Sequence, residues 1–232
     1  MSRVLLVRHG KASDHWHDYD QLSPRGFEQA ALVGKRLARD EPELRAIYHG
    51  KLRRQRETAE TVRAELVDAG RPVPELTELS TLDEIAAGVV DTALLQEPDL
   101  VLRERITGWT TGQRQGDKRT FSWLMRCFTR FESGELVGDF ETFTEFHGRV
   151  VATLAKLVDP AGGTTVAFSS GGFIATAAGI AVETAMNPTL QLMATLENTS
   201  LTELRWSRSR AKFRLVRLND VGHLPPDART TI

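Results

Sequence analysis

The sequence predicts an α/β protein, a three-layer sandwich in which helices cover both faces of a mostly parallel central sheet. Three observations carry this. Val4-Leu5-Leu6-Val7 is a continuous apolar run that breaks at once into Arg8-His9-Gly10, as a strand buried on both faces does when it ends in a polar turn. Thr164 to Phe168 repeats that pattern and turns through Ser169-Ser170-Gly171-Gly172 into a helix of small residues, among them Ala175, Ala177 and Ala178. Between the two runs, short apolar segments alternate with stretches of helical period.

The 232 residues, 41% hydrophobic and 26% charged, suffice for one well-buried domain over 1–232, with an insertion or lid at about 89–138. Thirty basic against 31 acidic residues leave a net charge of -1, so no global field draws nucleic acid or an anionic membrane. Any preference for anions has to be local. The single cysteine, Cys127, excludes an internal disulfide and fits a reducing compartment, and no apolar run reaches signal-peptide or membrane-spanning length. These features predict a cytoplasmic protein without nucleic acid or membrane among its partners; a homodimer stays open.

The first strand aims Arg8 and His9 at the crevice beyond its carboxyl end, where open α/β sheets bind ligands, and Gly10 lets the chain turn. A cation beside the imidazole disfavours protonation, which keeps His9 neutral and nucleophilic near pH 7 and suits it to attack an anion. The plain alternative is an exposed loop histidine, and the tripeptide alone does not choose. Ser13 to Asp20 is polar and aromatic without helical period and reads as a loop over the mouth of the site. His15 and His17 share one side of it if it is extended, but no carboxylate or cysteine at ligand spacing accompanies them, so no metal site is expected.

Ser23-Pro24 combines an N-cap with proline at the first helical position and opens a helix to about Asp40, with Phe27, Ala30, Ala31, Gly34, Leu37 and Ala38 on its inner face. Ala46-Ile47-Tyr48 is a short strand ending in His49-Gly50. Leu52 to Ala59 then begins a second helix whose inner face continues through Val62 and Leu66. Arginines at its start, where free N–H groups already favour anions, form a candidate clamp for phosphate or carboxylate; Arg53 and Arg56 read as its solvated side.

Leu76 to Leu82 reads as a third strand leading into Asp83-Glu84-Ile85, where a carboxylate between apolar residues is a candidate general acid and is otherwise a surface glutamate. From Val89 to Gly138 the pattern is less regular, with a charged middle over Arg103 to Arg119 and a packing stripe of Phe121, Leu124, Phe128 and Phe131. A long helix follows, with Phe143, Phe146, Val150, Leu154 and Leu157 on one face, ending before Pro160. The Ser-Ser-Gly-Gly turn after the strand at Thr164 offers backbone N–H groups to an anion. Ser200 to Leu204 and Phe213 to Leu218 form a terminal hairpin around Ser207 to Arg210, and the tail after His223 is expected to be loose.

Arg8-His9-Gly10, Leu22-Ser23-Pro24-Arg25-Gly26 with Gln29-Ala30, Leu52 with Arg54 and Thr58-Ala59, Leu82-Asp83-Glu84, and Ser169-Ser170-Gly171-Gly172 occur in an order that resembles the histidine phosphatase superfamily, also called phosphoglycerate-mutase-like. The resemblance covers nearly everything except the insertion. It implies a phosphoglycerate-mutase-like fold and a metal-independent phosphomonoester hydrolase without cofactors. His9 would take the phosphoryl group as a phosphohistidine, Arg8 and Arg54 would clamp its oxygens, and Glu84 would protonate the leaving oxygen and then activate water. General chemistry agrees, because phosphoryl transfer needs positioning and charge stabilisation above all, and guanidiniums supply both. A small phosphorylated substrate is implied, and mutase-type transfer to a second position on the same sugar acid is the alternative within the family.

Two positions depart from the family pattern. Ser170 stands where the family has a second histidine, and Gly50 where it often has serine. A serine hydroxyl donates one neutral hydrogen bond to a phosphoryl oxygen, whereas an imidazolium donates a charge-assisted one worth about 1.5 to 3 kcal/mol. His15 or His17 is a candidate substitute donor, and a non-catalytic pseudo-phosphatase that binds phosphorylated ligands is a second alternative. Two other classes match single motifs. An acyl hydrolase would use Ser169 in a nucleophile elbow with Asp220 or Glu197 and His223, but leaves Arg8, His9, Arg54 and Glu84 without a role. A P-loop at Gly10-Lys11-Ala12-Ser13 fails because Leu5 stands where the first glycine belongs. His223 itself reads as structural.

Overall fold

A computed structural model describes residues 2–13, 20–86, 88–111, 116–184 and 192–231. Its centre is a six-stranded sheet in the order β3-β2-β4-β1-β5-β6, formed by β1 (Ser2–Arg8), β2 (Ala46–His49), β3 (Leu76–Glu78), β4 (Gly163–Ser169), β5 (Leu201–Ser207) and β6 (Lys212–Asp220). The first four in that order run parallel, whereas β5 and β6 form the antiparallel hairpin expected at the end of the chain. The predicted α/β sandwich with a mostly parallel sheet is the observed architecture.

The two faces of the sheet divide the apolar residues of β1 by parity. Leu5 and Val7 pack with Val166 and Phe168 beneath α1 (Pro24–Asp40) and α2 (Arg53–Asp68), while Val4 and Leu6 pack with Ala167 on the opposite face. That second face is covered by α3 (Gly88–Leu95), α4 (Leu100–Thr110), α5 (Lys118–Glu132), α6 (Phe143–Leu157) and α7 (Gly171–Val182). Burial on both sides is the reason β1 and β4 carry no polar alternation. The register sets Arg8 of β1 opposite Ser169 of β4, and His49 of β2 opposite Phe168, so three strand ends finish level along one edge.

Several expectations need correction. Phe27 lies 37% exposed, and the inner face of α1 is Gly26, Gln29, Ala30, Val33, Gly34 and Leu37. Polar Gln29 turns inward because its amide accepts from Lys11 N at 2.9 Å and donates to Ala228 O at 2.7 Å. The third strand stops at Glu78, and Ser80–Leu82 is a short 3-10 turn that buries Leu82. The stretch 89–138 is more regular than its text suggested. Asp99 and Asp117 cap α4 and α5, each accepting from two backbone N–H groups, so Arg103 to Thr110 of the charged middle is helical. The inward stripe of α5 is Trp123, Leu124, Cys127, Phe128 and Phe131, with Phe121 outside it. Burial pushes the Cys127 thiol up to about 12. The tail is not loose: Leu224 and Ala228 are buried, and Asn198 N donates to Thr230 O at 2.8 Å.

Candidate active site

The site is built at the level strand ends. His9 continues β1 by one residue and is tied on both sides: its N–H donates to Ser169 O at 2.9 Å, and its carbonyl accepts from Asn198 Nδ2 at 3.1 Å. Gly10 follows in a space that admits no side chain, because a Cβ there would stand 2.5 Å from the carbonyl oxygen of Gly26. Gly10 N donates to Thr58 Oγ1 at 3.0 Å, which anchors the turn to α2.

The His9 ring is buried and fixed. Nδ1 lies 2.8 Å from Gly10 O, and a carbonyl only accepts, so Nδ1 carries the proton and Nε2 the lone pair. That lone pair meets Arg54 Nε, on the first turn of α2, at 3.1 Å. Burial holds the His9 pKa well below the ordinary imidazole value, reinforced by the charges of Arg54 and Arg8 and opposed by the bond to Gly10. His9 is therefore neutral at pH 7. Arg8 is buried and donates from Nη1 to Leu196 O.

Arg54 has a second partner that the sequence reading did not single out. Its Nη1 donates to Asp20 Oδ1 at 2.6 Å, and the other oxygen of Asp20 accepts from Arg53 N at 2.8 Å. Asp20 thus caps α2 and holds the guanidinium. No local signal points to it: Leu52 at the N-cap offers no side-chain cap of its own, and nothing near it in the chain names the residue that supplies one. Arg53 and Arg56 pair with Glu57 and Glu60 along the exposed side of α2, as expected of a solvated face.

Glu84 reaches the same edge from the loop after the 3-10 turn. Its carboxylate accepts from Ile85 N at 2.9 Å and from Gly172 N, in the first turn of α7, at 3.0 Å. A Cβ at Gly172 would stand 2.2 Å from Glu84 Oε1, so this contact requires glycine. The loop is held from behind by Arg149, whose Nη1 donates to Thr81 O and Asp83 O, each at 2.9 Å. Ser170 is fully buried at the N-cap of α7 without capping it, and its Oγ accepts from Gln55 Nε2 at 2.8 Å. A Cβ on Gly171, the next residue, would lie 3.8 Å from Arg8 Nε. The edge thus gathers Arg8, His9, Arg54, Glu84 and Ser170, with Arg54 at the neutral His9 ring and the Glu84 carboxylate held on the first turn of α7.

The elbow reading does not assemble. Ser169 is fully buried and its hydroxyl donates to Leu82 O at 2.5 Å, while Asp220 is held by Arg36 at 2.6 Å. His223 Nε2 lies 3.2 Å from Thr199 Oγ1, and burial with the Arg36 charge lowers its pKa to about 4, in keeping with a structural role. His15 and His17 lie outside the described residues. Among the described residues no group of three or more His, Cys, Asp and Glu is placed to hold a metal ion, and no helix is long and apolar enough to cross a membrane.

A sequence profile of the histidine phosphatase superfamily (branch 1) matches residues 4–97 and 81–221. No match was found among curated proteins. Solved structures share the fold. Bacillus stearothermophilus YhfR superimposes with a TM-score of 0.67 at 22% identity, over 96% of this chain and 99% of that one. Phosphoglycerate mutase from Bacillus anthracis gives 0.61 at 17% identity, over 96% and 94% of the two chains. Entamoeba histolytica phosphoserine phosphatase, solved with 3-phosphoglyceric acid, gives 0.63 at 21% identity, over 97% and 100%.

Proposed function

Because the chain belongs to the histidine phosphatase superfamily, we propose that it hydrolyses small phosphomonoesters through a phosphohistidine on His9, without a metal. The observation that carries this is the paired fixation of one ring. Gly10 O fixes the proton on Nδ1, and Nε2 presents its lone pair beside Arg54. In the first step the Nε2–phosphorus bond forms as the phosphorus–ester oxygen bond breaks, and the departing oxygen takes a proton from the Glu84 carboxyl. In the second, the Glu84 carboxylate takes a proton from water, the water oxygen bonds to phosphorus, and the Nε2–phosphorus bond breaks. Inorganic phosphate and neutral His9 are restored. Arg8 and Arg54 hold the non-bridging oxygens, where a preorganised pair of cations stabilises charge that builds in the transition state. Ser170 donates one further neutral hydrogen bond.

Hydrolysis is favoured over mutase transfer because a site lacking one charged donor enforces return of the phosphoryl group less strictly. The test is turnover of an aryl phosphate in the presence of a chelator, with acid-labile phosphate followed on the protein. The expected result is turnover and labelling that both vanish in His9→Ala. The serine at 170 and the Asp20 clasp on Arg54 also fit a non-catalytic phospho-ligand-binding protein. Absence of turnover and of labelling across a panel of phosphometabolites would establish that reading instead.

A further inference from the structure

The two departures from the family pattern, Ser170 and Gly50, meet in the structure at a single side chain. Gln55 follows Arg54 on α2 and is fully buried. Its Nε2 donates to Ser170 Oγ at 2.8 Å and points toward Leu82 O at 3.5 Å. Its Oε1 lies against Gly50, where a Cβ would come within 2.0 Å of it. The amide nitrogen faces Ser170 Oγ and, at the outer limit of a hydrogen bond, Leu82 O, which only accepts. Gln55 therefore fills the space between the end of β2 and the start of α7, and a side chain at 50 would collide with it.

We propose that Gln55 is a positioning residue of the phosphoryl site, holding the Ser170 hydroxyl as a neutral donor where the family has a histidine, with Gly50 making room for it. This rests on the phosphate-binding role given to Ser170 above. A hydroxyl that accepts from an amide N–H has its own proton left to donate, and among the described residues that proton meets no protein acceptor. The arrangement also runs against stability. Gln55 Oε1 is buried without a hydrogen-bond partner among the described residues, which a residue selected for packing alone would avoid. An apolar side chain of the same volume would serve the core at least as well, so the amide is explained by Ser170.

The experiment is a double-mutant cycle read by the affinity for inorganic phosphate in calorimetry, with thermal unfolding beside it. Gln55→Met keeps the volume and removes the donor. Loss of one neutral hydrogen bond is expected to weaken phosphate about 3- to 10-fold, with the melting temperature unchanged or raised. Ser170→Ala should weaken it similarly, and the double variant should be no weaker than either single one, because the two side chains act as one unit. Unchanged affinity in Gln55→Met, or additive losses in the double variant, overturns the proposal. Should methionine not be accepted at 55, Gln55→Glu is nearly isosteric and draws the Ser170 proton to itself. Its loss of affinity should then be larger with Ser170 present than with Ser170→Ala, a difference in which the added charge cancels. Aryl phosphate turnover by the native protein separates the two readings. Phosphate binding with coupling but no turnover keeps Gln55 and removes hydrolysis; turnover without coupling does the reverse; neither binding nor turnover removes both.

Discussion

Two strands of the sheet end in the same dipeptide. His9-Gly10 follows β1, and His49-Gly50 closes β2; in each the imidazole Nδ1 rests on the next glycine's carbonyl, at 2.8 and 2.7 Å, and both rings are buried. The difference lies on the far side of the ring. His9 follows Arg8 and turns Nε2 to Arg54, whereas His49 follows Tyr48 and has no second side-chain hydrogen bond among the described residues. The local turn thus fixes the tautomer, and a different element, the first turn of α2, brings a guanidinium to Nε2 of one ring only, the ring proposed as the nucleophile. Removing each histidine in turn tests this most directly. His9→Ala should lower turnover on the order of 10⁴-fold or more, as loss of a covalent nucleophile does, while His49→Ala should change it less than about tenfold. Equal losses would show that the dipeptide, and not its surroundings, carries the chemistry.

Arg54 is the next lever on the contrast. Arg54→Met removes a charge-assisted contact to the phosphoryl group, worth about 1.5 to 3 kcal/mol, and should reduce kcat/KM roughly 10- to 100-fold. It also removes one of the causes that depress the His9 pKa. A lowered pKa leaves the nucleophile neutral well below pH 6.5, so the native acid limb of kcat/KM should lie on the acid side of the ordinary imidazole value. In Arg54→Met that limb should move up, while burial and Arg8 still hold it low. An acid limb that stays in place would mean that Arg54 binds substrate without tuning His9.

The two glycines sharpen the comparison in stability. A methyl at Gly10 meets backbone, 2.5 Å from Gly26 O, which sits at the start of α1 and cannot move alone. A methyl at Gly50 meets the side-chain ends of Gln55 and Asp83, at 2.0 and 2.6 Å. Overpacking costs roughly 1 to 3 kcal/mol; Gly10→Ala should fall at the upper end and Gly50→Ala at the lower, read by denaturant midpoints. The reverse order would place the rigid wall at Gln55.

These contacts also mark where the sequence was legible. The strand ends at Arg8-His9 and Ser169-Ser170 were readable because burial on both faces leaves an unbroken apolar run, and the helix at Ser23-Pro24 because its cap and proline are local signals. Asp99 and Asp117 carried equally local cap signals that the charged text around them obscured. Gln55 and Asp20 were not readable at all. Their partners lie 115 and 34 residues away, and a buried glutamine on a helix face looks the same as a solvated one until the fold brings Ser170 to it. The order of the tail is illegible for the same reason, since its anchor is Gln29, some 200 residues earlier.

Asp20 supplies the smallest expected effect and the finest distinction between the two rings. It holds Arg54 Nη1 at 2.6 Å while Arg54 Nε holds His9, so the guanidinium that would clamp a phosphate is already engaged on two edges. A phosphoryl oxygen entering the site competes with the Asp20 carboxylate for the same donor. The pair is 45% exposed on the aspartate side, where such bridges contribute only about 0.2 to 1 kcal/mol. Asp20→Asn keeps an acceptor for Arg53 N and weakens the hold on Arg54, so inorganic phosphate should bind about 1.5- to 5-fold more tightly, and the gain should shrink as salt screens the pair in the native protein. Weaker phosphate binding in Asp20→Asn would reverse the assignment: the carboxylate would then orient Arg54 for the phosphoryl group instead of competing with it, and the path from α2 to His9 would run through Asp20 as well.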